Sequence, residues 1–423
     1  MPRVLMLSHY LPPMFDVGGK RADRFARHLP SFGWQPHVLT APLPTDRPLD
    51  PSAPPLPEGV TVERELIPRW WPRPRSRPSD ATVAAPIEAR EPGRLARLAR
   101  QFTLPVGDEI LLAPRTVARM RRPIREAKID VIFATSAPYA TLIHGAALAR
   151  ATGRPLVLDL RDPWTLNFLQ AGRPSWVRKV EARIEASLFE QADRVILTCA
   201  AAAQAYRERF PALADKIVTI TNAFEPRVLA REPRFDRLTL IHFGNCYGAR
   251  SLAPVIRALA RLRDQGRLDP REVVVRNLGR ISRAELELAA SLGLAEQLEH
   301  DTAVPYQQGL AELARADLLL LLSYGREQLF LPAKLFDYMA AGAPVLCVAP
   351  TSELTEIVAA TQIGRSCDPD DVDACAAIIS AAAARRRDGD AAEPLRDSSG
   401  AALQPYTAEA TTAALARLLD QLV

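Results

Sequence analysis

Short aliphatic runs, each followed by a helix-length stretch, set the architecture of this chain. Residues 4–8 and 129–135 are too continuously apolar for a strand with one face in water, so they read as parallel strands covered by helices on both faces. Residues 36–40, 155–160, 194–198 and 217–222 read as further strands, with a short one over 60–64. Helical patterns lie between them, through Phe25 and Leu29 to Gly33, over 139–152 and over 181–190. The alternation then restarts. LTLIHFG at 238–244 leads to a helix over 252–263 and a strand over 273–278. Ser282 and Glu285 form a capping box on a helix ending at Gly293, and a strand follows over 317–322. A chain of 423 residues exceeds one ordinary core. These features predict two doubly wound Rossmann-like α/β domains, over 1–228 and 236–405, with an amphipathic helix over 406–423.

Composition narrows the class. The apolar share of 48% with 24% charged residues is that of a soluble globular protein. Cys199, Cys246, Cys347, Cys367 and Cys375 are scattered without ligand spacing, which argues against a disulfide framework or a zinc site and predicts a cytoplasmic protein. The first residues run straight into a strand, so no signal peptide is expected, and no apolar run is long enough to span a bilayer. The stretch 42–92 holds 13 of the 37 prolines and reads as a loop-rich insert. Over 64–128, 15 Arg and Lys face 7 acids, an excess of 8 against +5 for the whole chain. That basic stretch suits an anionic membrane surface or a phosphorylated acceptor, or is a plain solvated arginine-rich surface. Within it, Leu95, Leu98 and Phe102 share one side beside Arg94, Arg97 and Arg100, as on a membrane-surface helix or an ordinary surface helix.

The most informative stretch is YGREQLFLPAKLFDYMAAGAPVLCVAP at 324–350, which reads as a loop, a short helix and a buried strand. Pro332 suits the first helical turn, and Gly342 with Pro344 stops the helix. Leu335, Met339 and Ala340 share the face toward a sheet, whereas Lys334, Asp337 and Tyr338 fall elsewhere. A lysine in a first turn opposes the helix dipole by roughly 0.3–1 kcal/mol, and a bound anion reverses that sign. Lys334 beside free backbone N–H groups therefore suits a diphosphate, and Asp337 suits the hydroxyls of a ribose. The plainer alternative is a solvated Lys334 and a capping Asp337. Earlier in the same half, the loop NCYGARS offers Gly244 and Gly248 for close backbone approach, with Asn245 and Arg250 beside them.

In the first half, HYLPPMFDVGG places Gly18 and Gly19 at the mouth of the first helix, ahead of Arg21 and Arg24. DLRDPWT sets Asp159, Arg161 and Asp162 beyond the carboxyl end of a strand, where open α/β sheets hold ligands. Asp162 either contacts a ligand there or pairs with an arginine to hold the loop. His144 reads as a packed histidine.

The run LPAKLFDYMAAGAPVL resembles the donor-site segment of GT-B-fold glycosyltransferases, glycosyltransferase family 4 in particular. YLPPMFDVGGKRADRFARHLPSFGWQPHVLT, the RDPW phrase and ITNAFEP resemble further parts of the same family. The resemblance implies two Rossmann-like domains facing across a cleft, with the last helix crossing back to the first. It implies that Lys334 and Arg250 bind the diphosphate of a nucleotide-sugar and that Asp337, in place of the more usual Glu, binds its ribose. Gly244, Asn245 and Leu335 complete the donor side. Gly18, Gly19, Asp162 and either Arg21 or Arg24 would face the acceptor side. The sequence departs from the family where many relatives carry a second Glu, since Leu329 stands there and Glu327 is out of register.

The resulting expectation is a metal-independent, retaining glycosyltransferase of hexosyltransferase type, with the departing phosphate taking the acceptor's proton. It would need no cofactor and no nucleic acid. The donor would be a nucleotide-sugar, the acceptor a glycan, a lipid-linked group or a small molecule, and the setting bacterial cell-surface polysaccharide or glycoconjugate assembly, with peripheral contact at an anionic inner membrane face. Two rivals are a nucleotide-sugar 2-epimerase on the same fold and a non-catalytic nucleotide-sugar-binding relative.

Overall fold

Among the described residues all strand pairings in the two sheets are parallel, in keeping with the apolar central strands that helices cover on both faces. The structure is a computed structural model that describes residues 1–14, 17–44, 49–50, 53–68, 71, 106–167, 172–226, 234–246, 250–301, 304, 306–323, 325, 329–388 and 400–423. The expectations for Gly248, Glu327, residues 94–102 and much of the proline-rich insert lie outside those residues.

The first unit gathers described residues of Met1–Pro72, Pro92–Ala223 and Tyr406–Val423. Its strands are β1 (Arg3–Ser8), β2 (Gln35–Thr40), β3 (Thr61–Glu63), β4 (Val131–Thr135), β5 (Leu156–Leu160), β6 (Arg194–Leu197) and β7 (Ile217–Thr219), in the order β3-β2-β1-β4-β5-β6-β7. Its helices include α1 (Lys20–His28), α2 (Ala113–Glu126), α3 (Ala140–Thr152), α4 (Ser175–Gln191) and α5 (Ala200–Arg209). Small residues let α3 lie close on the sheet. A Cβ on Gly145 would stand 2.5 Å from the Ala134 Cβ of β4, so any larger residue there would lift the helix away.

The second unit gathers described residues of Phe224–Pro405. Strands β8 (Leu238–Phe243), β9 (Val273–Leu278), β10 (Leu298–Asp301), β11 (Leu318–Leu322), β12 (Val345–Val348) and β13 (Gly364–Cys367) run in the order β10-β9-β8-β11-β12-β13. Between them lie α6 (Ala253–Asp264), α7 (Arg283–Ser291), α8 (Tyr306–Ala314), α9 (Ala333–Ala341), α10 (Glu353–Ala360) and α11 (Val372–Arg387). In each sheet the chain winds outward in one direction and then in the other, which creates a switch point between β1 and β4 and another between β8 and β11. Loops that leave the carboxyl ends of those strands diverge, and the space between them is where doubly wound sheets hold ligands.

The last helix, α12 (Ala408–Asp420), belongs to the first unit. Leu415 and Leu419 are buried in the same core as Phe25, Trp34 and Met6, and the Trp34 indole N–H donates to Asp420 Oδ1 at 2.8 Å. Among the described residues, no helix is long and apolar enough to cross a membrane. Leu419→Ala should destabilise the first unit by about 2–5 kcal/mol, read as a fall in the urea midpoint; a change within experimental error would mean that α12 adds little to this core.

Candidate functional site

The β8/β11 switch point supplies the site's framework. Helix α9 starts at Ala333 with Pro332 as an extended N-cap, one residue outside the helix rather than in its first turn. No side chain caps this end, and Gly342 closes the other in a left-handed conformation (φ 73°). The helix is buried on more sides than its sequence pattern predicts. Tyr338, expected off the core face, is fully buried. Its hydroxyl accepts from the Phe243 N–H at 3.0 Å and donates to the Leu320 carbonyl at 3.1 Å, clamping α9 across β8 and β11. Leu335, expected among the donor-binding residues, also points into the core, and its N–H is taken by the Pro332 carbonyl at 3.0 Å.

Lys334 runs back over the end of β8. A Cβ on Gly244 (φ +131°) would stand 2.4 Å from the lysine Cε, so glycine there provides both the backbone turn and the channel for the stem. The amine sits 3.1 Å from His242 Nε2. Burial first, and the Arg250 charge second, bring the Lys334 amine down from the usual lysine range to about 7. The charges of Lys334 and Arg250 are thus held in reach of one another within one unit. Burial and the Lys334 charge also hold His242 well below the ordinary histidine range, so its ring is neutral.

The loop that carries Arg250 is braced. Glu285 completes the capping box with Ser282 on α7, and its Oε1 accepts from Ser251 Oγ at 2.9 Å and from the Leu252 N–H at 2.5 Å. Arg250 lies two residues ahead of the α6 N-cap, Leu252, rather than in a helical first turn. Asn245 shapes the same loop by accepting the Arg280 N–H at 2.9 Å through its side-chain oxygen. A second glycine, which sequence reasoning missed, makes this possible. A Cβ on Gly279 would fall 2.4 Å from the Gly244 carbonyl. Asp337 is 9% exposed and accepts the Tyr306 hydroxyl at 2.6 Å, with the Tyr306 ring stacked on Phe243. Leu329 is half-buried and offers no polar group at the position of the family's second Glu.

In the first unit, the structure separates the two candidate arginines. Arg21 is buried and makes a bidentate pair with the fully buried Asp159, at 2.9 Å and 2.8 Å, while also donating to the carbonyls of Ile220 and Thr221. Asp159 also accepts the Thr135 hydroxyl at 2.6 Å. Arg21 is therefore a bolt between α1, β4, β5 and the segment after β7, not a ligand-facing cation. Arg24 is half-buried and makes no hydrogen bond or ion pair among the described residues. Gly18 and Gly19 form a short turn ahead of α1, and a Cβ on Gly19 would press on the Leu11 backbone at 3.2 Å.

The RDPWT loop is anchored at nearly every residue. Arg161 donates to the carbonyls of Gly18, at 2.6 Å, and Ser136. Tyr139 donates to the Pro163 carbonyl at 2.9 Å and stacks on Trp164, whose backbone N–H donates to the Tyr206 hydroxyl at 2.9 Å. Tyr206 in turn donates to the buried Glu185 at 2.5 Å, which also accepts from Thr165. The exception is Asp162, which is exposed and makes no hydrogen bond or ion pair among the described residues. An Asp162–Arg161 pair does not hold the loop. His144 bonds Thr116 and the Glu109 carbonyl at 2.9 Å each, as a packed histidine should.

Two family profiles match the chain: Glycosyltransferase Family 4 over residues 77–228 and Glycosyl transferases group 1 over residues 236–388. Similar solved structures include sucrose-phosphate synthase from Thermosynechococcus elongatus (TM-score 0.67, 15% identity, covering 100% of this chain and 99% of that one). WaaG, a glycosyltransferase involved in lipopolysaccharide biosynthesis, gives 0.53 at 16% identity, over 99% and 98%. An E. coli structure described as trehalose-6-phosphate bound with UDP-2-fluoro glucose gives 0.57 at 10% identity, over 100% and 99%. No curated protein sequence matches the chain.

Gly244→Ala should destabilise the second unit by roughly 1–3 kcal/mol and displace Lys334, measured as a lowered melting temperature together with altered reactivity of that amine. An unchanged melting temperature would show that the turn at residue 244 tolerates a side chain. With both halves matched by glycosyltransferase profiles and the two-domain Rossmann-like fold shared with known members, the chain belongs to the family 4 type of GT-B glycosyltransferases.

Proposed function

We propose that the protein moves a sugar from a nucleotide-sugar donor to a hydroxyl acceptor, with retention of configuration and with protein cations in the role that a metal plays elsewhere. One observation carries this reading. Lys334 stands in the first turn of α9, whose start no side chain caps, at a switch point and within reach of the Arg250 charge. A diphosphate there would be attracted by both charges, and the attraction would strengthen as its bond to the sugar breaks. Asp337, held by Tyr306, suits the ribose hydroxyls. Asp162, the free carboxylate on a rigid loop of the first unit, suits an acceptor hydroxyl. The bound UDP-2-fluoro glucose in one structural neighbour and the lipopolysaccharide role of another favour a nucleotide-sugar donor and cell-surface glycoconjugate assembly. Trp176, 49% exposed, and Leu111, 60% exposed, lie on the first unit with basic residues on α2 and α4, in keeping with work at the cytoplasmic membrane face.

The pH dependence follows from the lysine. Its amine titrates near 7 in the folded protein and near its ordinary, higher value when unfolded, so the unfolded chain holds the extra proton between those values. Its burial therefore destabilises the fold fully below about pH 7, and the penalty fades as pH rises toward the ordinary value. Lys334→Met should leave the melting temperature unchanged or raised at pH 6, with the difference shrinking by pH 10. It should weaken UDP binding about 10- to 100-fold and abolish transfer, measured by calorimetry and by a donor–acceptor screen. Wild-type affinity for UDP should fall as pH rises above 7. Equal affinity and turnover in the variant would remove Lys334 from the mechanism.

A further inference from the structure

The amine of Lys334 has a partner that its role in holding a diphosphate does not explain. His242, the fifth residue of β8, is fully buried, and a chain of hydrogen bonds sets its tautomer. The Asn277 amide nitrogen donates to the carbonyls of Gly279, at 2.6 Å, and Arg280, at 3.2 Å, which fixes the amide orientation. Its oxygen therefore faces His242 Nδ1, at 2.6 Å. An amide oxygen only accepts, so Nδ1 carries the proton and Nε2 presents a lone pair. Lys334 Nζ, 3.1 Å from that lone pair, must be the donor. The polarity of the whole chain, from the β9 loop through Asn277 and His242 to Lys334, runs one way.

We propose that His242 is a positioning residue for the donor site: its Nε2 lone pair aims the Lys334 amine along Gly244 and favours the ammonium form that a diphosphate needs. The other groups facing the amine do not replace it. Arg250, from the loop after β8, opposes the charge, while Asp337, from α9 itself, favours it. Cys246 lies 3.4 Å from both His242 Nδ1 and Asn277 Oδ1, and burial, followed by the charge of Glu285 from α7, holds its thiol protonated. Among these, His242 supplies a directed neutral acceptor. The diphosphate itself rests on the function proposed above.

The chain has five lysines, Lys20, Lys128, Lys179, Lys216 and Lys334, so lysine 13Cε signals can follow the Lys334 titration in the free protein. His242→Leu should lower its midpoint by about half a pH unit or more and weaken UDP binding about tenfold at pH 7, whereas His242→Gln, which keeps a side-chain acceptor, should restore both to within about threefold. An unmoved midpoint in folded His242→Leu would overturn the proposal, because a purely structural histidine changes stability without changing that titration. The 15N imidazole spectrum of the wild type needs no variant, and an unprotonated Nδ1 with a protonated Nε2 would also overturn it. Failure of the wild type to bind UDP or any other nucleoside diphosphate would instead strike the function proposed above, while the free-protein titration still decides the role of His242.

Discussion

The placement of the Lys334 amine, which burial and the charge of Arg250 hold below the usual lysine range, is the constraint on which the second unit turns. The Lys334 amine responds to burial and to the Arg250 charge by giving up its proton more readily than a solvated lysine does. The surrounding framework holds the conflict in place. Glu285 braces the arginine loop, Gly244 and Gly279 let two loops lie against one another, and Tyr338 pins the helix that carries the lysine. On the function proposed above, groups fixed in this way would need little reorganisation when charge develops on a leaving group.

The first unit solves a different problem. The loop after β5 carries Asp162 on a firmly held backbone. The buried pair of Arg21 and Asp159 locks α1 to the strands beneath it, and breaking such a pair from one side is far more damaging than replacing both partners. Arg161, Tyr139, Tyr206 and Glu185 then fix the backbone of the loop on which Asp162 stands.

The alternation of buried strands and helices was legible because parallel strands covered on both faces must be apolar, and β1, β4, β8 and β11 are. Elements with less burial were not legible. Strand β10 reads LEHD and lies at a sheet edge, β13 reads GRSC at the opposite edge, and α2 carries five arginines and an internal Pro123. Lys334 and Asp337 stood out through the helix dipole and the resemblance of their segment to a known family, and Arg250 through the resemblance. Arg21 could not be told from Arg24, because its partner Asp159 is 138 residues away. His242 was hidden for the same reason: its meaning depends on Asn277, whose pairing arises only when β8 and β9 lie side by side.

The return of α12 to the first unit bears on how the protein is made. Leu415 and Leu419 complete a core begun by β1, yet the ribosome must finish the entire second unit before they emerge. Until then the nascent first unit carries an uncovered apolar groove beside α1, so its final closure is a late event governed by contacts of very long sequence separation. A nascent chain that stalls short of α12 would leave that surface open to chaperones or to other nascent chains.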